Sequence, residues 1–544
     1  MTNPLPTERA MMNHRWRSRL KRWFAPWTVA PPRPLRVWLP FLSTVTTVVI
    51  VVPTAIVLAP HIGQLLTCGR GWYTSTPTWH AENQCVGLSS GPYDFGVREF
   101  APVMRLIRQQ NDSAATNCPT GTPVTVGVLL SLTDPSVGGR ALDQLEGMAA
   151  AQRRADDSGC LHPVKLLIGQ LGDDQHGPGP RAVAQAMAAR ADVVAVAGVG
   201  LSYQSTTEVV GTLTAAKLPT VGDVVTAEGF DQDGSRRDQP IYDGCDAKET
   251  YQYGVGKDYF YRVAFRVAVQ VDSLTKVAAN SPDFVMVPTG TTDPYTCTAL
   301  PLLHRALHTE APDVKFDATE PSTVVQTAER VCAETKDVTV AYLARGRDLS
   351  RFLFSVDQAY GNGQCAAPSI TVIATSDAVR LSTPEPDPVL EDLRSKALSS
   401  ASFTSGRVRL LSSMIADTHR PADDTAFLDY QNAFTAARLD HSRLEQGWAV
   451  NGYDAVTTIA TAVHTLPQHE PVTRGQVNTV ISGYNAPGQA IPGAGGPIYF
   501  DNAGNRADSA PAVVRVCPVE RREDRESHTV RTVPVQPGQP YPAC

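Results

Sequence analysis

The alternation of apolar and polar positions divides the 544-residue chain into distinct regimes. Val37 to Pro60 is a charge-free, mostly apolar run of 24 residues, long enough to cross a bilayer as one helix. Glu99 to Gln109 has the spacing of a short amphipathic helix, ended by the polar stretch Asn111 to Pro123. At Val124 the pattern changes. VTVGVLLSL is apolar and β-branched throughout, as a strand buried on both faces would be. Ala141 to Ala155 returns to helical spacing, with Leu142, Leu145, Met148 and Ala149 on one face. Strands then follow at Val164 to Gly169, Asp192 to Gly198 and Pro219 to Val225, separated by helices at Arg181 to Arg190 and Ser205 to Ala216. A polar insertion spans 230–255. Beyond it come strands at Phe260 to Val267, Phe284 to Pro288, Val338 to Ala344 and Ser369 to Thr375. Helices are expected at Val269 to Ala278, Leu302 to Leu307, Val324 to Glu334 and Arg351 to Ala359. Leu381 to Pro388 is a Pro-rich turn. Helices at Trp448 to Leu466 and Thr473 to Ser482 precede a tail, charged from Glu520 and then Pro/Gln-rich, that reads as disordered. The βα alternation predicts an α/β fold with parallel, doubly wound sheets covered by helices.

Charge orients this pattern. Before the apolar run lie Arg9, Arg15, Arg17, Arg19, Lys21, Arg22, Arg33 and Arg36 against the single Glu8. Cations flanking a membrane helix stay on the cytoplasmic side, so residues 1–36 are expected as a cytoplasmic arm and 37–60 as an uncleaved transmembrane helix. A cleaved signal peptide is the alternative, and Leu65 to Cys68 offers only a poor lipidation box. The whole chain has a formal charge of -6, which leaves about -13 for everything beyond the arm. An acidic ectodomain argues against nucleic-acid binding.

All ten cysteines lie beyond the apolar run, at Cys68, Cys85, Cys118, Cys160, Cys245, Cys297, Cys332, Cys365, Cys517 and Cys544. Widely spaced, with no CxxC pair and no Cys/His cluster, they read as structural disulfides of an exported domain rather than metal ligands. Cys68 with Cys85, and Cys517 with Cys544, are the pairs that sequence proximity favours. The divisions expected are a neck over 61–120, a large domain over 121–515 and a flexible tail over 516–544.

Several segments, in order, resemble the type I periplasmic-binding-protein superfamily, and more narrowly the branched-chain amino acid receptors of ABC importers. They are VTVGVLLSLTDPSVGG from 124, ALDQLEGMAAAQRR, VKLLIGQLGDD from 164, DVVAVAGVGLSYQSTTEVV from 192, LPTVGD from 218, YFYRV from 259, NGYDAVTTIATAV from 451 and GPIYFDNAGNR from 496. With its Pro and Arg content the chain looks like an actinobacterial, membrane-anchored variant. The resemblance implies two α/β lobes, discontinuous in sequence, joined by three crossover strands around a ligand cleft. It also implies capture of a small polar ligand, an amino acid or related carboxylate, for uptake through an ABC permease. A sensing or protein-interaction ectodomain is the alternative, and a degenerate fold without ligand a third reading. The chain departs from the family in VMVPTGTTDPYTCT, which carries a cysteine, and over 384–445.

Ligands of doubly wound sheets sit beyond the carboxyl ends of strands. The loop Gly198 to Thr207 lies there, before a helix whose free N–H groups would hold an anion. Ser202, Gln204, Ser205 and Thr206 are its polar side chains, and the resemblance points most directly to Ser205 and Thr206. Thr133 and Asp134 follow the first strand, and Asp223 ends another. Asp293 and Tyr295 follow a strand in the second half. Each has an ordinary alternative in capping or core packing. HExxH, Walker A and dinucleotide motifs are absent from the sequence, so an enzyme is not expected, and no cofactor is implied.

Overall fold

The computed structural model describes Cys68 and residues 78–81, 84–116, 121–157, 161–173, 179–232, 258–278, 280–289, 293–307, 311–468, 470–507, 510–518 and 530–544. The apolar run and the basic arm lie outside them. Among the described residues no helix is long and apolar enough to cross a membrane.

Two seven-stranded sheets organise the chain. The first contains β1 (Thr78–Ala81), β2 (Gln84–Ser89), β3 (Val124–Leu130), β4 (Val164–Gln170), β5 (Val193–Ala197), β6 (Thr220–Gly222) and β7 (Phe260–Arg262), in the order β1-β2-β4-β3-β5-β6-β7. Helices α1 (Ala101–Thr116), α2 (Arg140–Asp157), α3 (Gly179–Ala188) and α4 (Gln204–Ala215) belong to this lobe. The second lobe holds α5 (Val267–Val277), β8 (Phe284–Pro288), α6 (Pro294–Ala306), β9 (Asp313–Phe316), α7 (Pro321–Cys332), β10 (Val338–Tyr342), α8 (Leu349–Gly361), β11 (Ile370–Ala374), α9 (Pro388–Leu398), α10 (Ala401–Thr404) and β12 (Val408–Ser413). The chain then returns to lobe 1 for α11 (Thr425–Ala436), α12 (Gly447–His464), α13 (Arg474–Gly483) and the hairpin β13 (Ile491–Gly493) and β14 (Gly496–Ile498). It ends in lobe 2 with β15 (Val513–Cys517) and β16 (Arg531–Pro534), giving the order β16-β15-β12-β11-β10-β8-β9. The chain therefore passes between lobes three times. The crossing segments lie side by side: Phe265 N donates to Ile415 O (3.4 Å) and Met414 N to Ala512 O (2.9 Å).

Three expectations are corrected. The sheets are mixed, not purely parallel: β1, β2, β15 and β16 run antiparallel to their neighbours. Residues 78–116 are no separate neck, because β2 pairs with β4 and α1 buries Val103, Met104 and Ile107 in the lobe 1 core. Toward its end the tail forms the paired strand β16, and beyond it the terminal Cys544 is bonded to Cys517. Cys68–Cys85 forms as expected, Cys332–Cys365 joins α7 to the loop after α8, and Cys297 is disulfide-bonded too.

Strands β5, β10 and β11 are buried at every residue, and apolar clusters cover both faces of each sheet. This is why they read as continuous apolar runs. Glycine sets the closest approach in lobe 1. A Cβ on Gly147 of α2 would stand 1.9 Å from Ala449 O of α12, and one on Gly452 would stand 2.5 Å from Gln144 O. Gly452, an unfavourable residue by helix propensity, is thus required by the crossing of two backbones. That crossing carries Arg140 and Trp448 to the seam between the lobes.

Candidate functional site between the lobes

The loops that follow β3, β5 and β6 in lobe 1 face those that follow β8, β10 and β11 in lobe 2. Their centre is a charged cluster. Arg345, just beyond β10, donates through Nη2 to Asp293 Oδ1 (2.7 Å) and through Nη1 to Asp377 Oδ2 (3.1 Å). Its Nη2 also reaches Ser202 O across the seam (3.2 Å). The guanidinium lies 4.4 Å from the centre of the Tyr295 ring and 5.1 Å from that of Tyr203, within cation–π range. Arg140, at the start of α2, crosses the seam to Asp377 Oδ1 (2.8 Å) and lies over Trp448 (4.3 Å). Arg380 reaches back to Ser136 O and Pro135 O (2.8 Å each). Thr383 Oγ1 donates to Asp143 Oδ2 (2.9 Å).

Burial opposes the charges of Arg345, Asp377 and Arg140, so the signs of their pKa shifts report whether pairing outweighs it. Burial pushes the Asp377 carboxyl up, but Arg140 and Arg345 outweigh it and hold it below its ordinary value. Burial likewise disfavours the Arg345 cation, and Asp293 and Asp377 overcome it, leaving the guanidinium firmly charged. Arg140 and Asp377 are 2 % and 5 % exposed. Removing one partner of such a buried pair would strand the other, at a cost of about 3–5 kcal/mol.

The expected residues fall on different sides of this geometry. Ser202 Oγ is spent inside lobe 1, accepting from the N–H groups of Thr226 (3.0 Å) and Ala227 (3.1 Å). Thr206 Oγ1 bonds Leu201 O and accepts from Tyr203 N (3.4 Å), a local cap of α4. Gln204 and Ser205 open α4 and are partly exposed. Asp223 is fully buried against Gln144 of α2. Thr133 is tied to Gln84 (2.5 Å) and Gln170 (2.7 Å). Asp293 caps α6 by accepting from Tyr295 N (3.3 Å), and Tyr295 OH bonds Thr375 Oγ1. The reading from sequence missed Arg345, Asp377, Arg140 and Arg380. Arg345 and Asp377 stand just past buried apolar strands, so the strand-end rule that selected Asp293 could have found them.

Beside the cluster both lobes border a solvent-open pocket of about 370 Å³. Phe100, Leu132 and Leu142 of lobe 1 and Leu390 of lobe 2 supply apolar wall, and Glu99, Thr133, Asp134, Arg347, Arg380, Glu385 and Asp387 its polar points. Asp134 is 2 % exposed; Oδ1 accepts from Ser136 N (2.7 Å), and the Tyr203 hydroxyl and the Arg345 cation also favour its carboxylate. Burial raises its pKa above the ordinary carboxylate value. A larger polar groove of about 630 Å³ lies between α11 and β16, lined in part by Gln431, Asn432, Arg531 and Thr532.

No protein-family model and no curated protein matches the sequence. Solved structures do match. The branched-chain amino acid substrate-binding protein LivJ of Streptococcus pneumoniae, in complex with isoleucine, aligns with a TM-score of 0.51 at 13% identity, over 76% of this chain and 100% of that one. The leucine-binding protein LivK of Thermotoga maritima aligns with a TM-score of 0.51 at 15% identity, over 76% and 99%. A solute-binding protein of R. palustris, in complex with 4-hydroxybenzoate, gives 0.52 at 12% identity, over 77% and 98%. These neighbours are substrate- or solute-binding proteins. With its two lobes, three crossings and interlobe cleft, the chain has the fold of the type I periplasmic binding proteins, the fold of the branched-chain amino acid receptors LivJ and LivK.

Proposed function

We propose that the protein is an extracytoplasmic solute receptor, anchored by residues 37–60 with its basic arm in the cytoplasm, that takes a small polar ligand between its lobes. The observation that carries this reading is the 370 Å³ pocket bordered by both lobes. Its volume lies in the range of ligand sites, about 300–1,000 Å³. Its apolar walls and its acidic lining side chains Asp134, Glu99 and Asp387 fit a solute with a compact apolar body and a cationic group, which an amino acid combines. The disulfides support placement outside the cytoplasm. Delivery to an ABC permease is part of the proposal.

Thermal unfolding of the full-length oxidised protein against a panel of amino acids, amines and aromatic acids tests it, because a ligand of the native state must raise the melting temperature. A saturable shift that Asp134→Asn abolishes is the expected result; no shift with any member refutes the amino-acid class. The many direct bonds across the seam favour a second reading, an ectodomain that is closed without solute and engages an envelope protein. Retrieval of such a partner by the closed, solute-free form would support it.

A further inference from the structure

The cluster around Arg345 has the composition of a site for an organic cation. It has two carboxylates at 2.7 and 3.1 Å, a backbone carbonyl at 3.2 Å and two aromatic rings within 5.1 Å. Planar guanidinium groups are matched by carboxylates and stack on rings in this way. The occupant here is the protein's own side chain. Asp293, Tyr295, Asp377 and Arg345 belong to lobe 2, whereas Tyr203, Ser202 O and Arg140 belong to lobe 1. The same guanidinium therefore fills the cage and bonds the opposite lobe.

We propose that Arg345 is a resident occupant of the interlobe cleft: it excludes free cations from the Asp293–Asp377 cage and keeps the lobes together without solute. A ligand then reaches only the neighbouring pocket at Asp134, so Arg345 also sets which part of the cleft is selective. Arg140 and Arg380 back the arrangement by bonding across the seam on either side of Asp377. Together the three arginines supply a closed state that in a receptor without them would have to come from the ligand. This inference concerns the cleft of the receptor reading but stands apart from it, since closure by Arg345 needs no natural ligand.

The test is hydrogen exchange of the full-length oxidised protein, read on peptides covering 131–139 and 375–383, with methylguanidinium chloride as probe and sodium chloride at equal ionic strength as control. Wild type is expected to protect both loops without solute and to ignore the probe. Arg345→Ala is expected to exchange at least about tenfold faster there, to regain protection saturably with methylguanidinium, and to lose that rescue when Asp377→Asn is added. Arg345→Lys, which keeps a cation, should retain most of the protection. Should the alanine variant fail to fold, wild type alone decides: unprotected loops without solute, or loops whose exchange methylguanidinium changes, overturn the proposal. So does an alanine variant that stays protected, or opens without rescue. The panel of solutes tests the receptor reading independently, so either idea can fail alone.

Discussion

Asp223→Asn tests the electrostatics of lobe 1 most sharply. Asp223 follows β6 and turns into the interior, where Gln144 Nε2 donates to Oδ2 and Oδ1 has no hydrogen-bond partner among the described residues. Burial raises its pKa to about 7, against about 3.9 in an unfolded chain. Between these values the native state holds a proton that the unfolded state has released. Linkage then makes stability fall as pH rises, by up to about 1.4 kcal/mol per pH unit, and level off above pH 7. The three-unit difference corresponds to about 4 kcal/mol, fully lost by about pH 8. Asparagine stays neutral throughout, like the protonated acid. Melting temperatures of variant and wild type, measured from pH 4 to 8.5, should therefore be similar near pH 4 and diverge in favour of the variant toward pH 8. Glu146, raised to about 8, and Asp156, raised to about 7, slope the wild-type curve in the same sense, so the difference between the two proteins is what counts. A difference independent of pH, or a variant less stable at pH 8, would refute a carboxylate desolvated at this position.

Two further perturbations probe the scaffold. Gly147→Ala should cost about 3 kcal/mol or more, because its Cβ would press on the Ala449 carbonyl and separate α2 from α12. Gly211→Ala, with open space around it, should gain up to about 1 kcal/mol; denaturant unfolding of the pair separates packing from propensity. Cys544→Ser releases a bridge spanning 27 residues, worth about 3.5 kcal/mol by loop entropy; hydrogen exchange should quicken in β16 while β10 and β11 stay protected.

The sequence was most legible where strands are buried on both faces. β3, β5, β10 and β11 are runs of β-branched residues that show their period-free signature locally. Weaker patterns escaped. β9, Asp313–Phe316, is an alternating edge strand of four residues, too short for periodicity to stand out. β12 and β15 face each other antiparallel with Leu411 beside Arg515, and arginine within each strand interrupts the apolar run. α11 lies in the segment with no family likeness, where only amphipathic spacing could have shown it.

Candidate residues follow the same division. The strand-end rule reached Asp293, Tyr295, Thr133 and Asp134, all of which lie at or beside the seam. It also selected Ser202, Thr206 and Asp223, whose polar atoms are largely consumed by neighbours that are distant in the chain or specific to one turn. Hydrogen-bond satisfaction depends on partners such as Gln144, Thr226 and Ala227, and no local pattern indicates them.

By itself the sequence determined the βα alternation and the type of its main elements, because backbone propensity and side-chain period act locally; short chain separation favoured the Cys68–Cys85 and Cys517–Cys544 clips without fixing the connectivity. Tertiary structure decided which strands share a sheet, that 78–116 joins lobe 1, and that Arg345 meets Ser202, Asp293 and Asp377. Those contacts join residues 32 to 143 positions apart; the two carboxylates meet Arg345 through the packing of lobe 2, and Ser202 meets it only once the chain crossings have brought the two lobes face to face.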